Sequence, residues 1–157
     1  MADLDYKGYG ELVKYRLEAD GFEVKGLHQV DRYAVDLFAF KHFQLPGANV
    51  SCWLAHLDNV DLQAAKNFSG TMFKLAKWSV RGYVVAIPAL ASSDFDEETK
   101  EYARAYKGFH TAHGVEHPVL VELKTRQIFH YDKKPAFFGR IPYGLAIDFT
   151  TKHLSTT

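Results

Sequence analysis

The segment Tyr33-Ala34-Val35-Asp36-Leu37-Phe38-Ala39-Phe40 is apolar on both parities, except at Asp36. A strand sends alternate side chains to opposite faces, so such a run must be covered on both. Val50 to Leu57 reads the same way, and Leu45-Pro46-Gly47-Ala48-Asn49 between the two is a turn, which predicts a hairpin. Gly82 to Ile87 is another buried strand, which Pro88 is expected to stop.

Helical spacing fills the gaps. Leu12, Val13, Tyr15 and Leu17 give a face over Glu11 to Ala19, with Gly21 as a stop, and Phe22 to Val24 follows as a short strand. Leu62, Ala65, Ser69, Met72 and Ala76 predict a helix from an Asp61 cap to about Lys77. Ser93 with Asp96 resembles a capping box for a helix ending near Lys107. Val119 to Leu123 and Gln127 to Tyr131 read as a hairpin turning at Lys124-Thr125-Arg126, and an aromatic, turn-rich tail follows Pro135. A hairpin followed by a strand-helix-strand crossover predicts an α/β fold with a mixed central sheet and helices on both faces.

Composition bounds the remainder. A chain of 157 residues with 47% apolar and 24% charged residues reads as one globular domain, not a disordered, collagen-like or disulfide-dense chain. The core is expected over residues 8–107, with a C-terminal hairpin and tail over 117–157. With 19 basic and 19 acidic residues the net charge is zero, so a basic balance gives no argument for nucleic-acid binding. One cysteine, Cys52 in an apolar strand, reads as a small core residue. No apolar run is long enough to span a membrane, and the acidic start does not read as a signal peptide, so a cytoplasmic location without membrane contact is expected.

The stretch from Gly10-Glu11-Leu12-Val13 through Ala19-Asp20-Gly21-Phe22-Glu23-Val24, with Ala34-Val35-Asp36-Leu37-Phe38-Ala39 after it, resembles the opening of restriction-endonuclease-like domains. The Mrr-type endonucleases and archaeal Holliday-junction resolvases are the nearest relatives suggested. The resemblance covers roughly residues 8 to 107 and implies a three-layer core. It also implies a divalent metal held by Asp36 and by the glutamate of a Glu-x-Lys pair on the following strand, whose lysine would orient or activate water. There the chain departs: the strand reads Trp53-Leu54-Ala55-His56-Leu57-Asp58, with His56-Leu57-Asp58 where the pair would stand. By the same resemblance, Glu11 could complete the site, and Lys66 on the second helix could supply a displaced lysine.

The residues themselves allow several readings. Asp36 in an apolar strand must be paired, hydrogen-bonded or functional, and Arg32 is a candidate partner. His56 and Asp58, two apart on a strand, share a face and could join Asp36 around a metal. His110, His113 and His117 with Glu116 have metal-ligand spacing, but lie in a loop. Glu122-Leu123-Lys124 matches Glu-x-Lys literally, far from Asp36 in sequence. Lys124, Arg126, Lys133, Lys134 and Arg140, interleaved with Tyr131, Phe137 and Phe138, form a candidate nucleic-acid contact or a solvated hairpin edge.

The expectation is a nuclease-like domain with lost catalysis, serving as a nucleic-acid-binding or protein-interaction module. An active nuclease using Mg²⁺ or Mn²⁺ at a rearranged site is the enzyme alternative. A ligand-free scaffold, for instance a homodimer, is the third. DNA or RNA is the expected partner of the first two.

Overall fold

The structure, a computed structural model, describes residues 4–44, 47–79, 82–107, 113–134 and 140–157, except the side chains of 140 and 141. Leu45 and Pro46 of the expected turn, His110, Phe137, Phe138 and the Arg140 side chain lie outside the described residues.

Among the described residues the chain is α/β, with four helices and one mixed sheet of eight strands. The first half runs α1 (Tyr6–Ala19), β1 (Glu23–Lys25), β2 (His28–Val30), β3 (Tyr33–Phe43), β4 (Ala48–His56) and α2 (Leu62–Ser79). The second runs β5 (Tyr83–Ser92), α3 (Glu97–Ala105), β6 (Gly114–Glu116), β7 (Val119–Glu122), β8 (Gln127–Phe129) and α4 (Arg140–His153). The strand order is β1-β3-β4-β5-β7-β8, with β2 also on β3 and β6 also on β5. The expected β3–β4 hairpin is antiparallel, and the crossover through α2 returns β5 parallel to β4. No described helix is long and apolar enough to cross a membrane.

Apolar side chains split between the two faces by strand parity. On β5, Val85, Ile87, Ala89 and Ala91 join a core under α1 and α4, while Val84, Ala86 and Leu90 join a core under α2 and α3. On β3 the alternation is broken. Tyr33 and Val35 belong to the α2 side, but Leu37 and Ala39 belong to the α1 side. The cause is a β-bulge: Val35 pairs with Ala55 and Leu37 with Leu54, so Asp36 has no opposite residue. Contrary to the expectation of cover on both faces, only the odd-numbered Tyr33, Val35, Leu37 and Ala39 are buried over this stretch, and one parity serves both cores because of the bulge. The bulge also corrects the expectation for Asp36, which is exposed rather than buried in the strand.

Pro88 does not stop β5, which continues to Ser92. The N–H of Val84 donates to the His113 carbonyl and the Ala86 carbonyl accepts from His117 N, at 3.0 and 2.9 Å. The even-numbered residues of β5 therefore direct their backbone groups toward β6 and β7. Pro88 belongs to this set, and its missing N–H falls where His117-Pro118 separates β6 from β7. The proline thus sits where the pairing on that side passes from β6 to β7 and an N–H can be spared. Gly114 is needed nearby, because a Cβ there would come 2.5 Å from the Val84 carbonyl oxygen.

Three further expectations are corrected. Helix α1 begins at Tyr6 rather than near Glu11: Asp5 caps it by accepting from Lys7 N and Gly8 N, at 3.3 and 3.1 Å. The cap of α3 is Asp96, which accepts from Thr99 N at 2.7 Å, not Ser93. The tail is not irregular, since it holds α4, with Pro142 tolerated in the first turn. This helix is built into the core. Leu154 is fully buried, the Tyr9 hydroxyl donates to the Leu154 carbonyl at 2.7 Å, and Asp20 binds both Lys152 and His153 at 2.8 and 2.9 Å.

Truncating Leu154 to alanine should therefore cost about 2–5 kcal/mol of global stability, read as a shift in urea midpoint without a change in slope. A tail merely appended to a finished core would leave the midpoint where it was.

Candidate functional site

A cleft of about 430 Å³ opens between α1, the β1–β2 connection and the bulge of β3. The bulge turns Asp36 out of the sheet toward α1, where the Tyr6 hydroxyl donates to its Oδ2 at 2.7 Å. Burial, and then the neighbouring carboxylate, push the Tyr6 phenol far above its ordinary pKa, so it remains a donor. The Tyr6 ring stacks on His56, centroids 4.6 Å apart. Lys7, Glu11 and Lys14 also line the cleft, with Lys25 across from them and Leu37 and Leu54 as apolar lining. Residues 7, 11 and 14 follow helical spacing, so one face of α1 delivers all three.

Two of the expected site residues, Asp36 and Glu11, are thus brought together. The rest diverge. Strand β4 ends at His56, and the chain bends at Asp58, so Asp58 is not a strand neighbour on a shared face. Its carboxylate is largely exposed and lies 3.7 Å from His56 Nε2. Arg32 does not pair with Asp36; it donates to the Tyr33 hydroxyl at 3.2 Å. Lys66 lies with α2 on the opposite side of the sheet, its ammonium 5.7 Å from the centre of the Tyr102 ring.

Among the described residues, no group of three or more His, Cys, Asp or Glu side chains could hold a metal ion. The expected set of Asp36, His56 and Asp58 does not assemble. In the cleft, two carboxylates stand among three lysines, and one oxygen of Asp36 is already taken by a phenol. Mg²⁺ is commonly held by one or two carboxylates with water completing its shell, but here one carboxylate accepts from a phenol and three ammonium groups offset the negative charge a cation would need, so the donor set fits Mg²⁺ or Mn²⁺ poorly.

Glu122 is not a catalytic partner of Asp36 either, because β5 and β4 separate β7 from β3. It is buried and accepts from Lys100 Nζ at 2.9 Å, Phe95 N at 3.0 Å and Thr125 Oγ1 at 2.6 Å. Burial opposes its charge, but these donors hold its pKa below the ordinary value. It ties the start of α3 to the β7–β8 turn.

The described members of the histidine cluster do not converge on a metal site either. His113 is exposed, while His117 is buried with its Nε2 3.2 Å from His130 Nδ1. Glu116 accepts from the Ser69 and Tyr106 hydroxyls at 2.6 and 2.7 Å. The basic C-terminal residues do not share one cavity. Lys124 lines a cleft with Asp94 and Asp96, Lys133 lines a groove beside α3, and Lys134 pairs with Asp148 at 3.1 Å. Arg126 is half-buried in a left-handed turn conformation with φ 57°.

Sequence reasoning missed Tyr6, Lys7, Lys14 and Lys25. The signal for two of them was present: Lys7 and Lys14 flank Glu11 at helical intervals. Gly8 and Gly10 hid it by making this stretch look non-helical. The chain matches no family model, no curated protein and no solved structure.

Burial, and secondarily His130, push the His117 pKa down from 6.5 to about 3. The unfolded chain therefore binds a proton below pH 6.5 that the folded chain refuses. Stability from this group is full above pH 6.5 and falls as pH drops toward 3, by about 2 kcal/mol at pH 5. Denaturant titrations at stepped pH should show this slope, and His117→Gln should flatten it; an unchanged slope in the variant would assign it elsewhere.

Proposed function

We propose that this chain is a restriction-endonuclease-like domain that has kept the cleft and lost the catalysis, and that it binds nucleic acid there. The observation that carries the reading is the company Asp36 keeps. A bulged strand aspartate and a glutamate from the first helix meet in one cleft, which is the arrangement the resemblance implies. The order helix, antiparallel strands, crossover helix, parallel strand supports the same reading.

The chemistry favours binding over cleavage. The strand beside the bulge contributes only the apolar Leu54 to the cleft lining, and it carries His56 where the resemblance expects the glutamate of the pair. His56 is engaged with the Tyr6 ring rather than free to activate water. Lys7, Lys14 and Lys25 supply three ammonium groups suited to phosphate oxygens. Asp36 and Glu11, without a metal, serve as acceptors for hydroxyl or amino donors of the ligand and repel misplaced phosphates.

The test is fluorescence anisotropy with labelled DNA and RNA across a salt series. Affinity should fall steeply with salt, and the triple variant K7A/K14A/K25A should weaken binding and reduce the log–log slope by about 2–3 for duplex DNA. Cleavage in Mg²⁺ or Mn²⁺ that D36A abolishes would replace this reading with an active nuclease. Absence of binding at low salt to every oligonucleotide would remove it in favour of a protein-interaction role.

A further inference from the structure

The far edge of the sheet offers a second site, built differently from the lysine cleft. Leu123 N donates to the Ser92 carbonyl at 2.9 Å, so the odd-numbered residues of β7 face β5. Leu120 and Glu122 then face β8, where they oppose Phe129 and Gln127. By alternation, both the N–H and the C=O of Ile128 point away from the sheet. β8 is the last strand of the order, and no described residue pairs with that side of Ile128. Just before the strand, the Arg126 carbonyl accepts from Thr156 Oγ1 of the chain's own C-terminal segment. The edge is therefore already used as an acceptor at one end and, among the described residues, open beyond it.

This open edge forms one wall of a groove of about 660 Å³, whose other wall is α3. Ile128, Phe129 and the chain through Lys133 line the first wall, and Arg104 and Lys107 the second. The Phe129 ring is capped by the Lys100 ammonium and the Arg104 guanidinium, at 5.1 and 4.8 Å. Of the groove's two acids, Glu101 is spent on Arg104 at 3.8 Å. Lys107 and Lys133 have no ion-pair partner among the described residues, which leaves them against Asp132 alone. An unpaired edge strand beside a helix, with surplus positive charge on both walls, suits an extended, acidic segment.

We propose that this groove docks an acidic extended peptide, which adds a strand to β8. The peptide backbone would accept from Ile128 N–H and donate to Ile128 C=O, and its carboxylates would meet Lys107 and Lys133. This does not depend on the nucleic-acid reading, because the two sites lie at opposite ends of the strand order.

The probe is a fluorescein-labelled peptide of alternating valine and glutamate. Its controls are a valine–lysine counterpart and a copy N-methylated at alternate amides. The acidic peptide should bind, the basic one should not, and N-methylation should weaken binding about tenfold. Ile128→Pro removes the outward N–H without touching the β7 ladder, and should cost a similar factor; K107E/K133E should abolish binding. Amide chemical-shift changes should fall on residues 101–107 and 126–133. Equal binding of the basic peptide, indifference to N-methylation, or shifts confined to the α1 cleft would overturn the proposal. So would self-association that Ile128→Pro removes, which would assign the edge to a second copy, or preferential binding of an oligonucleotide at the same amides.

Discussion

The parallel pairing of β4 with β5 is the constraint from which the other placements follow. Nine residues of β4, Ala48 to His56, run alongside Tyr83 to Ala91, and all are buried but His56 and Tyr83. Two parallel neighbours cannot be joined by a tight turn, so the chain must leave the sheet and cross over. That crossover is α2, which covers one face. The other face then needs cover from elsewhere, and the two ends of the chain supply it as α1 and α4. The tie between those ends is correspondingly strong, with Tyr9, Arg16 and Asp20 all bonded to residues 152–157.

The bulge at Asp36 is the second consequence of having two cores. A strand in strict alternation would keep Val35 and Leu37 on one face, but here they serve opposite cores. One inserted residue makes the exchange, and that residue has no place in either core. It must be polar and must point to solvent or to a polar partner. The same device that fills both cores therefore produces an exposed carboxylate at the mouth of a cleft, with Tyr6 as its donor.

The two-sided burial of β4 and β5, the hairpin and the crossover were legible because their patterns are local, whereas the same pattern in β3 misled because its even-numbered residues are not buried. What escaped was hidden by residues whose effect depends on a distant partner. Pro88 reads as a strand end unless one knows that β6 and β7 part opposite it. Pro142 and Gly144 suggest turns, yet the first falls where a helix needs no N–H, and packing on the sheet outweighs the second. That Glu11 and Asp36 would come together was legible, and both line one cleft. The lysines around them were not legible, because a lone surface lysine carries no signal until the helix start at Asp5 sets its face.

Net neutrality conceals an uneven use of the two signs. Asp5, Asp61 and Asp96 cap helices, each accepting from backbone N–H groups of the first turn. Glu116, Glu122 and Asp20 are tied to hydroxyl, ammonium or imidazole partners that hold elements together. Acids placed this way are spent inside the structure, where their fields are satisfied at short range. The lysines have fewer such duties: Lys7, Lys14, Lys107 and Lys133 line open cavities with no ion-pair partner among the described residues. A chain with equal numbers of each charge can thus present positive clefts at both ends of its sheet, because architecture consumes one sign more than the other. Screening shortens the reach of these fields to about 8–10 Å at ordinary ionic strength. The field inside each cleft is therefore set by local geometry, not by the total charge of the chain.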